Sequence, residues 1–239
     1  MEKKPALKPK VLLFSVNDTL LDMAEVKKRV NRMLDSKRAY SLWLEVLLHY
    51  TLVENSTGQY HDFESIARAA LDQAAQSVGA TTNDDMKEEV LHVMKHLPLR
   101  DGVQKGLSQL HDLGFRLVVF TNTPEQVIRE RMEPTGLISY FETILSVDEL
   151  KKFKPAKECY SWAAEKLQIE PSEAILVTAH GWDICGALNA GMEAAFITHD
   201  GATKYPFSRE PDFTAPDLIA LAAQLQNSFQ EQEEGQLIP

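Results

Sequence analysis

Cysteine is scarce: Cys159 and Cys185 are the only two in 239 residues. They form no C-x-x-C pair and read as free thiols of a reducing compartment. Long apolar runs are missing, and none approaches the roughly 18–20 residues that a membrane-spanning helix needs. Met1 to Lys10 holds four lysines and two prolines but no apolar stretch. It does not read as a signal peptide, and a cytoplasmic location is expected. A basic surplus is also missing, since the formal net charge is −10. That argues against non-specific nucleic-acid binding, which needs a basic surface. It leaves room for a small anionic substrate, because a local pocket can be positive on an acidic protein. Part of the acidic excess, Glu231, Glu233 and Glu234, falls in a polar C-terminal stretch that reads as a disordered tail. No internal repeat is evident.

What is present is enough apolar sequence, 44%, for a sizeable core. Four short runs are apolar without alternation, as parallel strands buried on both faces are. They are Val11–Phe14, Leu117–Phe120, Ile175–Val177 and Ala194–Ile197, with Thr143–Leu145 a weaker fifth. Helical spacing lies between them. Val103, Leu107, Leu110 and Leu113 recur at helical intervals before Gly114, and 156–167 and 181–190 also read as helices. Strands alternating with helices imply an α/β fold with a doubly wound parallel sheet, Rossmann-like in its layering.

The spacing of the strands is uneven. About a hundred residues separate the first strand from the second, far more than one crossover helix needs. Tyr40, Trp43, Leu47 and Tyr50 mark one helix there, Phe63, Ile66, Ala70, Ala74 and Val78 another, and Val90, Met94 and Leu97 a third. The organisation expected is a core of 9–22 and 99–225, an all-helical cap of 23–98, and flexible tails at 1–8 and 226–239. An insertion leaving from the end of the first strand must lie over the sheet edge where open α/β folds bind ligands. There it would exclude water and supply specificity contacts.

Polar residues follow each strand. Ser15, Asn17, Asp18 and Thr19 come after the first, Thr121 and Asn122 after the second. Lys154-Pro155 follows the weak strand, and Thr178, His180, Trp182 and Asp183 follow the next. Such convergence is a default site hypothesis. Taken singly, each has a bland reading: a surface Lys-Pro turn, a threonine capping a helix, an acid in a helix first turn. Their joint order lifts Thr19, Thr121, Lys154 and Asp183 above those readings. His92 and His96 are four apart on one helical face, but no third ligand is near, and a solvated face is the expectation.

The order strand, T-L, helical insertion, strand-T-N, K-P, strand and a final acid resembles the haloacid dehalogenase superfamily over about residues 9–222. The segment Val177–Asp183, with Gly186-Ala187 after it, is similar to the 2-haloacid dehalogenase branch. The resemblance implies that Thr19 steadies the nucleophile loop and that Thr121 and Asn122 bind the substrate anion. It also implies that Lys154 neutralises the developing charge and that Tyr160 lies near the substrate carboxylate. Asn17, Thr178 and His180 join the substrate-binding set on the same ground, His180 standing where many dehalogenases have asparagine. Phe63 and Trp182 would line an apolar substrate pocket. Asp183 would contact Lys154, or bind magnesium if the chain were a phosphatase.

Three positions depart from the family pattern. Ser15 occupies the place of the nucleophilic aspartate, whose carboxylate attacks carbon or phosphorus to give a hydrolysable ester. Asn17 replaces the general acid of the phosphatases. Leu44 follows Trp43 where the dehalogenases carry an arginine. The first expectation is a hydrolase acting on a small 2-substituted carboxylic acid with no cofactor required, Ser15 being a natural or engineered replacement of its nucleophile. The alternatives are a non-catalytic relative that binds a small anion or a protein partner, and a magnesium-dependent phosphatase. A homodimer is expected from the resemblance alone.

Overall fold

The computed structural model describes residues 11–236, with the side chains of 229–236 left aside. Six parallel strands form one sheet in the order β3-β2-β1-β4-β5-β6. They are β1 (Val11–Phe14), β2 (Arg116–Thr121), β3 (Thr143–Ser146), β4 (Ala174–Thr178), β5 (Glu193–Ile197) and β6 (Phe213–Ala215). Both faces of β1 are covered, which is why its sequence is apolar without alternation. Leu12 and Phe14 point into one core cluster, with α5 (Val103–Asp112), α6 (Glu125–Met132) and α9 (Leu218–Gln236). Val11 and Leu13 point into the other, with α7 (Lys157–Leu167) and α8 (Gly181–Asn189). The doubly wound α/β fold expected from the strand pattern is the one found.

Four inserted helices lie between β1 and α5: α1 (Ala24–Met33), α2 (Ala39–Thr57), α3 (Phe63–Ser77) and α4 (Asp84–Lys95). Their punctuation is local. Gly58, at φ 69°, ends α2 in the left-handed conformation that glycine tolerates. Asp62 caps α3 by accepting from the Ser65 amide at 3.0 Å, and Asn83 caps α4 by accepting from Met86 at 2.9 Å. The buried faces of these helices, with Val26, Trp43, Leu47, Ile66, Ala70, Val90 and Met94, belong to the same apolar cluster as one face of the sheet.

The chain leaves and re-enters the sheet through a paired connection. The Asp22 amide donates to the Pro98 carbonyl at 2.9 Å and the Arg100 amide to Leu20 at 3.0 Å. Pro98 thus lies at the chain's return to the sheet.

One expectation is corrected. The stretch read as a flexible tail from 226 continues α9 as far as Gln236. Leu218, Leu221, Ala222 and Leu225 anchor its first turns, and the Gln- and Glu-rich continuation has good helical propensity despite its polarity. Residues 1–8 lie outside the described residues. The short strand β6 gave no periodic signal, being three residues at the sheet edge with Thr214 exposed.

Helix α5 packs against α9 at a glycine. A Cβ on Gly106 would stand 2.3 Å from the Cβ of Leu218 and 2.7 Å from its carbonyl carbon. Gly106→Ala should therefore push α9 off the sheet and cost about 1–3 kcal/mol of stability. A lower urea midpoint, followed by circular dichroism, is the expected result; an unchanged midpoint would show that the two helices are free to separate.

Candidate active site

The register of the sheet brings the polar residues to one edge. Phe14 pairs with Val119 on one side and Val177 on the other. The next residue, Ser15, therefore lies between Phe120 and Thr178, at the carboxyl ends of three strands. The chain then turns sharply: the amides of Leu20 and Leu21 return to the Val16 carbonyl at 2.8 and 3.0 Å, and Asp18 takes φ 56°. Aspartate is among the few residues that tolerate that region.

Ser15 is held by two hydroxyls. Its Oγ is 2.5 Å from Thr19 Oγ1 and 2.9 Å from Thr178 Oγ1. Thr19 Oγ1 accepts from the Ala179 amide at 3.0 Å, which ties the turn after β1 to the turn after β4. Thr178 Oγ1 in turn accepts from the His180 amide at 3.2 Å and lies 3.4 Å from His180 Nδ1. The His180 ring rests against Trp182, with centroids 5.3 Å apart.

Beside this chain lies a buried charge cluster. Lys154 is 2% and Asp183 0% exposed. Lys154 Nζ donates to Asp183 Oδ2 at 2.8 Å and to the Phe120 carbonyl at 3.1 Å. The Tyr160 hydroxyl donates to Asp183 Oδ1 at 2.5 Å. Burial, then the Asp183 charge, pushes the Tyr160 phenol well above its ordinary range, so it stays a donor. Both carboxylate oxygens are thus engaged, and the ammonium is fixed under the carbonyl of the residue beside Ser15.

The loop carrying Lys154 is held from two sides. Asn122 Oδ1 accepts from the Lys154 amide at 2.9 Å. On the other side Asn55, near the end of α2, grips Phe153, donating from Nδ2 to its carbonyl at 2.8 Å and accepting from its amide at 2.9 Å. Tyr60 stacks on the Phe153 ring at 5.1 Å and donates to Asp148, and Phe63 approaches the same ring at 6.4 Å. Asn55, Tyr60 and Phe153 were not among the residues singled out from the sequence. Nothing in the local pattern of α2 marks Asn55, whose contact lies 98 residues away.

The remaining candidates fall around this centre. Thr121 is buried and its hydroxyl accepts from the Thr123 amide at 3.1 Å, a turn contact; the helix cap of the bland reading is not formed, since α6 starts after Pro124 with no side-chain cap. Asn17 Oδ1 is buried and has no hydrogen-bond partner among the described residues. The His92 and His96 rings lie 4.8 Å apart, tilted by 40°, on an exposed face. Gly186 has a specific reason to be glycine, since a Cβ there would meet the Tyr160 hydroxyl at 2.3 Å. Both cysteines are free, and burial pushes the Cys159 thiol up to about 12.

This fold and this edge chemistry define the class. The chain belongs to the haloacid dehalogenase-like hydrolases, which residues 13–197 match. It is 29% identical over 187 residues to (S)-2-haloacid dehalogenase 1 of Pseudomonas sp. (strain CBS-3), covering 77% of this chain and 82% of that one. It is 27% identical over 234 residues to the N-acylneuraminate-9-phosphatase of Rattus norvegicus, covering 91% and 94%. In fold it matches the L-2-haloacid dehalogenase of Xanthobacter autotrophicus with chloropropionic acid covalently bound. That match has a TM-score of 0.81 at 21% identity and covers 91% of this chain and 98% of the other.

Two outcomes follow from the electrostatics. Lys154→Ala leaves Asp183 as a buried charge with only Tyr160 beside it, and should cost about 3–5 kcal/mol of stability. Calorimetric unfolding reads this, and a loss under 1 kcal/mol would mean that water reaches Asp183. The second concerns pH. Burial is the main cause that holds His180 below its ordinary 6.5, with Lys154 and His199 adding to it and Asp18 and Asp183 opposing it. The unfolded chain therefore takes up this proton first as pH falls, and the native state loses stability below about pH 6.5. His180→Asn should flatten that part of the stability–pH curve; an unaltered slope would assign it to other groups.

Proposed function

We propose that this edge is the binding site of a small 2-substituted carboxylic acid, built as in the 2-haloacid dehalogenases. In this chain halide displacement stops at Ser15. The observation that carries the reading is the buried Lys154–Asp183–Tyr160 cluster, fixed one strand from Ser15. A buried ammonium of this kind stabilises negative charge that develops beside it, and does so without reorganising during the reaction. The inserted helices act as a cap, since α2 bonds directly to the residue before Lys154.

Ser15 explains why the expected displacement is silent. A carboxylate attacking a carbon–halogen bond gives an ester that water then cleaves. A serine hydroxyl attacking the same carbon would give an ether, which water does not cleave. Leu44, where the dehalogenases place an arginine, takes away a second aid to halide departure. These two residues also favour a second reading, a non-catalytic relative that holds a small anion.

A magnesium-dependent phosphatase is less well served by the donor set. Asp183 Oδ1 and Oδ2 are engaged by Tyr160 and Lys154. Ser15 and Asn17 bring no carboxylate, and among the described residues no three His, Cys, Asp or Glu side chains form a group that could hold a metal. Magnesium prefers several hard oxygen ligands in near-octahedral order. The free thiols suit a reducing, cytoplasmic setting. Among the described residues no helix is long and apolar enough to cross a membrane.

Ser15→Asp tests the reading. Halide release from 2-chloropropionate should rise from background to steady turnover, favouring one enantiomer. Halide electrode traces on both enantiomers and on haloacetates check this, with a phosphate ester as the comparison substrate. Phosphate release in place of halide would move the site to the phosphatase branch. Release of neither would support the anion-holding relative.

A further inference from the structure

The hydroxyls around Ser15 form a chain with one sense. Thr19, Ser15, Thr178 and His180 follow one another at 2.5, 2.9 and 3.4 Å. Suppose His180 Nδ1 carried the proton and the donors ran towards Thr19. Thr19 already accepts from the Ala179 amide, and among the described residues its own proton would then meet no acceptor. Thr19 is 1% exposed, so water does not relieve this. A buried unsatisfied donor is costly. The opposite sense gives each hydroxyl proton an acceptor: Thr19 donates to Ser15, Ser15 to Thr178, and Thr178 to a neutral His180 accepting at Nδ1. Asp18 and Asp183 oppose the burial of this imidazole, and Lys154 and His199 add to it. The net effect lowers its pKa, which keeps Nδ1 free to accept.

We propose that Ser15 is a nucleophile towards acyl groups, activated through the Thr178 hydroxyl by His180, so that the chain hydrolyses small activated carboxylic esters. The idea takes the substrate's position from the reading above, and its chemistry is separate. Ser15 Oγ forms a bond to the acyl carbon as the carbon–oxygen bond to the leaving alcohol breaks. The Ser15 proton passes to Thr178, and the Thr178 proton passes to His180 Nδ1. The imidazolium returns a proton through the Thr178 hydroxyl to the departing oxygen, which leaves as the alcohol. Water then attacks the acyl-serine, its proton following the same route, and the acid is released with Ser15 restored. The replacement that forbids a hydrolysable alkyl product thus permits a hydrolysable acyl one. Ser15 is 5% exposed, which restricts the acyl group to a small one.

The experiment is p-nitrophenyl acetate mixed with the full-length protein, reading the p-nitrophenolate burst and mapping the acetyl group by peptide mass spectrometry. A burst near one equivalent with the acetyl on Ser15 is expected. Ser15→Ala should abolish it. Thr178→Val and His180→Gln should each slow acylation by about 100-fold or more, and Thr178→Ser should restore most of what Thr178→Val loses. Circular dichroism of each variant separates lost chemistry from lost fold. A burst that survives Ser15→Ala, an acetyl group on another residue, or no burst in the wild type would each overturn the proposal. Acylation without halide release from Ser15→Asp would remove the dehalogenase-type reading alone, and the converse would remove the relay alone.

Discussion

The constraint on which the site depends is the burial of one ammonium. A lysine at 2% exposure is tolerable only with a carboxylate in contact and its remaining protons satisfied. Asp183 supplies the first need and the Phe120 carbonyl part of the second. Asp183 is itself fully buried, and it requires the Tyr160 hydroxyl for its other oxygen. Tyr160 reaches it because residue 186 is glycine, and any side chain there would strike the phenol. The sequence W-D followed by G-A is thus a packing solution as much as a family signature. Asp183 meets the lysine, Gly186 makes room for the tyrosine, and both stand on one turn of α8.

The same lysine couples the inserted helices to the sheet. Its backbone is fixed by Asn122 from the loop after β2, and the residue before it by Asn55 from α2. Tyr60 and Phe63 add aromatic contact to Phe153. Any displacement of α2 from the sheet must break two hydrogen bonds at Phe153, one residue from the charged group. The position of the ammonium and the seating of α2 are therefore one mechanical unit.

How much of this was legible follows from where each signal lives. The strands β1, β2, β4 and β5 were readable because both faces are covered, which leaves short unbroken apolar runs between turns. Their polar successors were readable because a parallel sheet sends every strand end to one edge. Strand β6 was not readable, since three residues at an edge carry no period. The C-terminal extension of α9 misled because polarity was taken for disorder, whereas Gln and Glu continue a helix once apolar turns have anchored it. Asn55 was invisible for a different reason. Its partner is a backbone group on a loop 98 residues away, and a bond to backbone leaves no trace in the partner's side chain. Thr178 was singled out as a polar residue at the end of β4 and Tyr160 through the resemblance; in this chain they bond to Ser15 and to Asp183.

Ser15 and its surroundings also bear on how one fold can change its chemistry. The Lys154–Asp183 pair is neutral overall, so it needs no further charge at position 15. The hydroxyl also fits the two threonines that a carboxylate would have faced, and it completes a hydrogen-bonded chain from Thr19 to His180. An aspartate there could only accept, so both threonines would have to turn their protons towards it, and Thr178 would no longer donate to the imidazole. Serine both donates and accepts, so it passes the chain on, and the sense is set at Thr19, which accepts from the Ala179 amide and has Ser15 to donate to. One side chain thereby determines whether the neighbouring hydroxyls serve a carboxylate or point their protons at a base.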